Sequence, residues 1–110
     1  MKKWLFVLFI FMLSVQASGQ DVPPDSLLKK IAVEKNDSKR IDLILTLFQT
    51  YQESDPVQDM EYAKKLLQQS HDQDDEVGEA LALSELGYAY RVLGNTVIAL
   101  DYNLKAMVTV

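Results

Sequence analysis

The chain has 110 residues, 48% of them apolar and 25% charged, which suffices for one small globular domain and is too apolar for a chain disordered throughout. Its net charge is −5, and its basic residues come as scattered pairs, Lys29-Lys30 and Lys64-Lys65, in acidic surroundings. Phosphate contacts require clustered Lys and Arg, so no nucleic-acid partner is expected. With no cysteine, disulfides, thiol catalysis, a thiolate zinc site and a lipid anchor on an N-terminal Cys are excluded.

The N-terminus reads Met1-Lys2-Lys3, an apolar run from Trp4 to Leu13, then Ser14-Val15-Gln16 and the small residues Ala17-Ser18-Gly19. That order is a secretory signal peptide, residues 1–19, with cleavage expected after Gly19. The run is too short for a bilayer, which takes roughly 20 residues as a helix. Export to the periplasm or another extracytoplasmic space follows. Loss of Lys2 and Lys3 would leave a mature chain of about −7.

Residues 20–37 read as a linker and lead helix. Pro23-Pro24 opens a helix from Asp25 to Lys35 that carries Leu27, Leu28, Ile31 and Ala32 on one stripe. Asn36-Asp37-Ser38 breaks it, with Asp37 or Ser38 expected to cap the next. The second helix, 39–53, has a wide apolar face of Ile41, Ile44, Leu45, Leu47, Phe48 and Tyr51, so it is expected to be central.

Ser54-Asp55-Pro56 gives a stop and a restart, Asp55 as cap and Pro56 in the first turn. The third helix, to Ser70, turns Val57, Met60, Ala63, Leu66 and Leu67 inward. His71 to Glu76 reads as a polar connection. A fourth helix, 75–93, buries Val77, Leu81, Leu83, Leu86, Tyr90 and Leu93. Gly94-Asn95 ends it and caps a fifth, from Thr96 onward, with Ile98, Ala99, Tyr102, Ala106 and Met107 inward.

Internal similarity links these helices. Tyr51 and Tyr90 are 39 residues apart, as are Leu47 and Leu86, and Met60-Glu61-Tyr62 matches Leu100-Asp101-Tyr102 at a spacing of 40. In the second unit Leu83, Leu86-Gly87, Tyr90, Ala99 and Ala106 fit the pattern W-x2-L-G-x2-Y, A-x3-F, A of the tetratricopeptide repeat, and the chain resembles that family. Gly87, Ala99 and Ala106 supply the small residues that let two helices cross closely. There are departures: Leu83 replaces the Trp, Asn103 stands where an aromatic is usual, and the closing Pro is absent. In the first unit Ile44, Leu47 and Tyr51 fit, but Phe48 holds the small-residue position and Asp59 the following Ala, so that hairpin is expected to splay or shift.

The expected fold is therefore all-α: about five helices after the signal peptide, arranged as antiparallel hairpins of a tetratricopeptide-like α-solenoid. The repeat region spans 38–110, with unit one at about 41–79 and unit two at about 80–110, the latter expected to be truncated.

The sequence offers no catalytic or metal-binding set. His71 stands with Asp72, Asp74, Asp75 and Glu76, but an EF-type calcium loop counted from Asp72 would have Val77 in place of its Gly and Leu83 in place of its Glu. One histidine in a loop does not make a Ser-His-Asp triad, and there is no glycine-rich phosphate loop or H-E-x-x-H helix. The expectation is a non-enzyme without cofactor or metal. The resemblance implies a groove lined by the first helix of each hairpin, in which Ser84, Tyr88 and Arg91 match groove-facing positions of the second unit, and Leu45, Gln49 and Gln52 those of the first. Tyr88 and Arg91 are the residue types that most often anchor a partner; the competing reading packs Tyr88 locally and pairs Arg91 with an acid. The expected partner is a protein or peptide, with a membrane involved only if a downstream segment anchors the chain. The alternative is the extracytoplasmic sensor region of a longer membrane-bound signalling protein, a histidine kinase or transcription regulator.

Overall fold

The structure, a computed structural model, describes residues 22–109, and the expected signal peptide lies outside them. Among the described residues the chain is all-α: α1 (Pro24–Val33), α2 (Asp37–Tyr51), α3 (Pro56–Asp72), α4 (Glu76–Val92) and α5 (Thr96–Thr109). None of these helices is long and apolar enough to cross a membrane.

The helix starts follow from side-chain caps. Asp55 accepts from the Gln58 amide ahead of Pro56, and Asn95 from the Ile98 amide, as the sequence predicts. At α2 the cap is Asn36, bonded to the Lys39 amide, instead of Asp37 or Ser38, which enter the first turn. The helix α3 runs through His71 and Asp72, so the connection to α4 shrinks to Gln73-Asp74-Asp75. Asp75 caps α4 through the Gly78 amide. The expected unit border near residue 80 thus falls one turn inside α4.

Cross-helix pairs fix the directions. Between α3 and α4, Ser70 lies against Gly78 and Asp59 against Glu85, so these helices are antiparallel. Between α2 and α4, Arg40 bonds Asp75 and Gln52 bonds Glu85, so these run parallel. Likewise α1 runs parallel to α3: Lys65 faces Asp25, Gln69 donates to the Leu28 carbonyl and Gln73 to that of Ala32. Each helix therefore packs on the next, and α1 and α2 also lie alongside α3 and α4 respectively.

The core runs through this array as Leu27, Ile31, Ile44, Leu47, Phe48, Ala63, Leu66, Ala82 and Leu86. Burying each large aliphatic side chain contributes roughly 1.5–3 kcal/mol. The central helix is α4, where the sequence points to α2: eight residues of α4 are buried against three of α2. Six of those eight are small or carry no large apolar group (Gly78, Ala80, Ala82, Glu85, Gly87, Ala89), which lets neighbours approach α4 closely on more than one side.

Several residues expected inward are not. Val57, Leu45, Leu93 and Ile98 are 39–50% exposed, Val77 is at the margin, and Met107 is 76% exposed. The first four sit at helix ends or beside the core stripe. Met107 belongs to the outer face of α5, where Val97, Leu100, Leu104 and Val108 are also exposed. Only Ala99 of α5 is fully buried, because α5 touches α4 alone.

Candidate binding face

The stripes Leu45, Gln49, Gln52 on α2 and Ser84, Tyr88, Arg91 on α4 each follow i, i+4, i+7 spacing, so each is one face of its helix. The two stripes are offset by 39 residues, position for position. The parallel setting of α2 and α4 holds them side by side through a bond at each end.

At the first end Arg40 makes a two-pronged contact with Asp75, Nε to Oδ2 at 2.9 Å and Nη2 to Oδ1 at 3.2 Å, and Nη2 also reaches Asp37 at 2.9 Å. Both Arg40 and Asp75 are mostly shielded. The hydrogen bond to Asp75 raises the Arg40 pKa, outweighing the opposing effect of burial, and Asp37 adds to the rise. Planar, charge-assisted pairs of this kind fix geometry as well as adding energy. Because Asp75 also caps α4, Arg40 ties the start of α2 to the start of α4.

At the second end Gln52 Nε2 lies 3.1 and 3.2 Å from the two Glu85 oxygens. Gln52 is therefore half-buried and engaged within the fold, whereas Gln49 and Ser84 are exposed. The Arg91 guanidinium lies over the Tyr88 ring at 5.4 Å, a cation–π contact that holds both side chains in a defined pose. Tyr88 thus packs locally, as the competing reading has it, but against Arg91 itself, which pairs with no acid among the described residues.

A second repeated arrangement supports the hairpins. Tyr51 stacks on Tyr62 at 5.8 Å and Tyr90 on Tyr102 at 5.5 Å, with Lys65 over Tyr62 and Lys105 over Tyr102. Burial, Asp25 and Tyr51 together raise the Tyr62 pKa. The matched spacings in the sequence are these stacked pairs.

Three features lie beyond the reach of the sequence pattern. Asp59 and Glu85, 1% and 7% exposed, form a buried carboxyl pair between α3 and α4. Arg40 and Asp75, 35 residues apart, carry no local signal that they are partners. An open cleft of about 670 Å³ between the end of α1, the start of α2 and the α3–α4 turn is lined by Ala32, Glu34, Lys35, Gln73 and Val77, and holds none of the stripe residues. For Asp59 the available signal is an acid in a small-residue position, but its burial depends on α4. His71, exposed, has Nδ1 2.8 Å from Glu79 Oε1, which pins the end of α3 to the first turn of α4.

Compared with known proteins, the chain matches no family model, no curated protein and no solved structure. Its class is therefore defined by its own architecture: an all-α protein in which successive helices pack in order and alternate helices run parallel.

Proposed function

We propose that this chain is a tetratricopeptide-like scaffold that binds a protein or peptide segment along the α2–α4 face, exported from the cytoplasm by its N-terminal leader and acting without catalysis. One observation carries the reading. Two parallel helices present repeat-related stripes in which Tyr88 and Arg91 are already held against each other at 5.4 Å, next to exposed Ser84 and Gln49. A preset aromatic–guanidinium pair loses little side-chain freedom on binding, and that is where a contact gains affinity. Arg91 would take a carboxylate and Tyr88 an apolar or amide surface. Gln52 supports the face from beneath through Glu85.

The test is selection of peptides from a displayed random library on the protein, followed by affinity measurement with variants. Tyr88→Ala and Arg91→Ala are each expected to weaken selected peptides by about tenfold or more, the loss typical of an anchor residue. Unchanged affinity in both variants rejects the face.

A further inference from the structure

Asp59 occupies an environment that does not suit an ionised acid. Its side chain is 1% exposed, and in the ionised form neither carboxyl oxygen meets a hydrogen-bond donor among the described residues. Across from it on α4 lies Glu85, 7% exposed, whose only donor among the described residues is the neutral Gln52 amide. Two adjacent buried carboxylates with one uncharged donor between them would be mutually repelled and poorly solvated. A single proton resolves both problems, because a protonated Asp59 donates to Glu85 while Gln52 supports the remaining charge.

We propose that Asp59 and Glu85 share one proton across the contact between α3 and α4, and that losing it loosens this joint and makes the setting of the two hairpins pH-dependent.

The surroundings leave the proton as the stabilising partner. Among the described residues, α1 contributes Asp25, which acts on Tyr62 and pairs with Lys65; α2 contributes uncharged Gln52; and α4 contributes Glu85. No cation among the described residues acts on Asp59, and those of the flanking helices include Lys64, paired with Glu61, Arg91, over Tyr88, and Arg40, held by Asp75 at the far end of the joint. No ionisable group of α5 acts on Asp59. Burial, then the hydrogen bond and charge of Glu85, push Asp59 from 3.8 up to about 8. The proton belongs to the pair, not to one residue alone.

The sign follows from linkage. An acid whose folded pKa lies above its unfolded value makes the folded chain bind the extra proton, so this stabilisation is complete below about pH 4, falls as pH rises, and is gone above about 8. That is opposite to the behaviour of an ion-paired aspartate. The joint lies beneath the α2–α4 face, since Gln52 connects α2 to the same pair. A pH effect on peptide binding would rest on the proposed function, but the stability test does not.

Three measurements on the protein test the proposal. Chemical denaturation from pH 5 to 8 is expected to show the unfolding constant of the wild type rising relative to Asp59→Asn by on the order of tenfold per pH unit; parallel profiles overturn it. Carbon-13 NMR of the side-chain carboxyls in the unmutated chain, where folding of a variant is not at issue, should show Asp59 titrating above pH 6, and a midpoint near 4 overturns the shared proton. The absence of native cysteine allows spin labels at Gln58→Cys and Val92→Cys, exposed positions on α3 and α4. Their distance distribution should broaden at pH 9 relative to pH 6, and an unchanged distribution overturns the loosening.

Discussion

The hairpins α2/α3 and α4/α5 carry the same stacked tyrosine pair with a lysine over the second ring, yet they differ in how closely their helices meet. In α4/α5, Gly87 lies against Ala99 and Asn103, and the helices touch along most of their length. In α2/α3 the matching positions hold Phe48 and Asp59, and those two helices touch far less; α3 packs more extensively on α4 than on its own hairpin partner. The sequence predicts this splaying from the same two residues. A repeat frame can thus survive replacement of its small residues, because the packing that one hairpin forgoes internally is recovered between hairpins. Gly78 of α4, against Ser70 of α3, and Ala82 in the shared core belong to that second surface.

The sharpest way to break the comparison is in the core. Leu47 and Leu86 occupy equivalent positions and are 1% and 0% exposed. Truncating a buried Leu to Ala costs about 2–5 kcal/mol, the upper end where surroundings cannot collapse into the cavity. Leu86→Ala is expected near the upper end and Leu47→Ala near the lower, measured by urea unfolding with unchanged slope. Equal or reversed losses would show that the wider spacing of α2 and α3 does not make that side more compliant.

A smaller effect sharpens the same contrast. A Cβ at Gly87 would collide with Asn103 Oδ1 and come within 3.2 Å of the Ala99 carbonyl oxygen. Asn103 is an exposed side chain that can turn away, but the Ala99 carbonyl is helix backbone. Gly87→Ala is therefore expected to be near neutral, the helix-propensity gain of about 1 kcal/mol offsetting the crowding. Gly87→Val should lose about 1–3 kcal/mol, since its methyl groups press on that carbonyl. Thermal unfolding of the two variants side by side checks the split.

Much of this architecture is legible from local signals, and the rest depends on partners distant in sequence. Pro56 after Asp55, Gly94-Asn95 and the tyrosine spacings each mark a boundary or a contact on their own. The primacy of α4 is hidden because its buried face is mostly Gly and Ala, so its periodicity of large apolar residues is weak, whereas α2 advertises bulk it does not bury, as at Leu45. Of the candidate face, the stripe spacing is readable, but the engagement of Gln52 with Glu85 is not, since it links positions 33 residues apart. Arg40–Asp75 is invisible for the same reason.

The smallest expected effect compares the turns on either side of α4. After α4, Gly94 takes φ +88° and the Asn95 amide bonds back to the Tyr90 carbonyl; after α3, Asp74 takes φ 55° and the Asp75 amide bonds back to that of Ser70. Both close the helix in the same left-handed way. At Gly94 the conformation carries no side-chain penalty, while at Asp74 a Cβ must be accommodated, which aspartate tolerates better than most residues but not freely. The Asp74 side chain is exposed, so replacing it disturbs little else. Its charge lies between the C-terminus of α3 and the N-terminus of α4, where the two helix dipoles act on it with opposite sign. Asp74→Gly should therefore stabilise the protein by a few tenths to about 1 kcal/mol, and Gly94→Asp should destabilise it by a similar amount. Matched urea unfolding of the two variants decides the point: a loss of stability in Asp74→Gly would mean that the aspartate side chain holds this turn, and that the two closures are alike only in backbone shape.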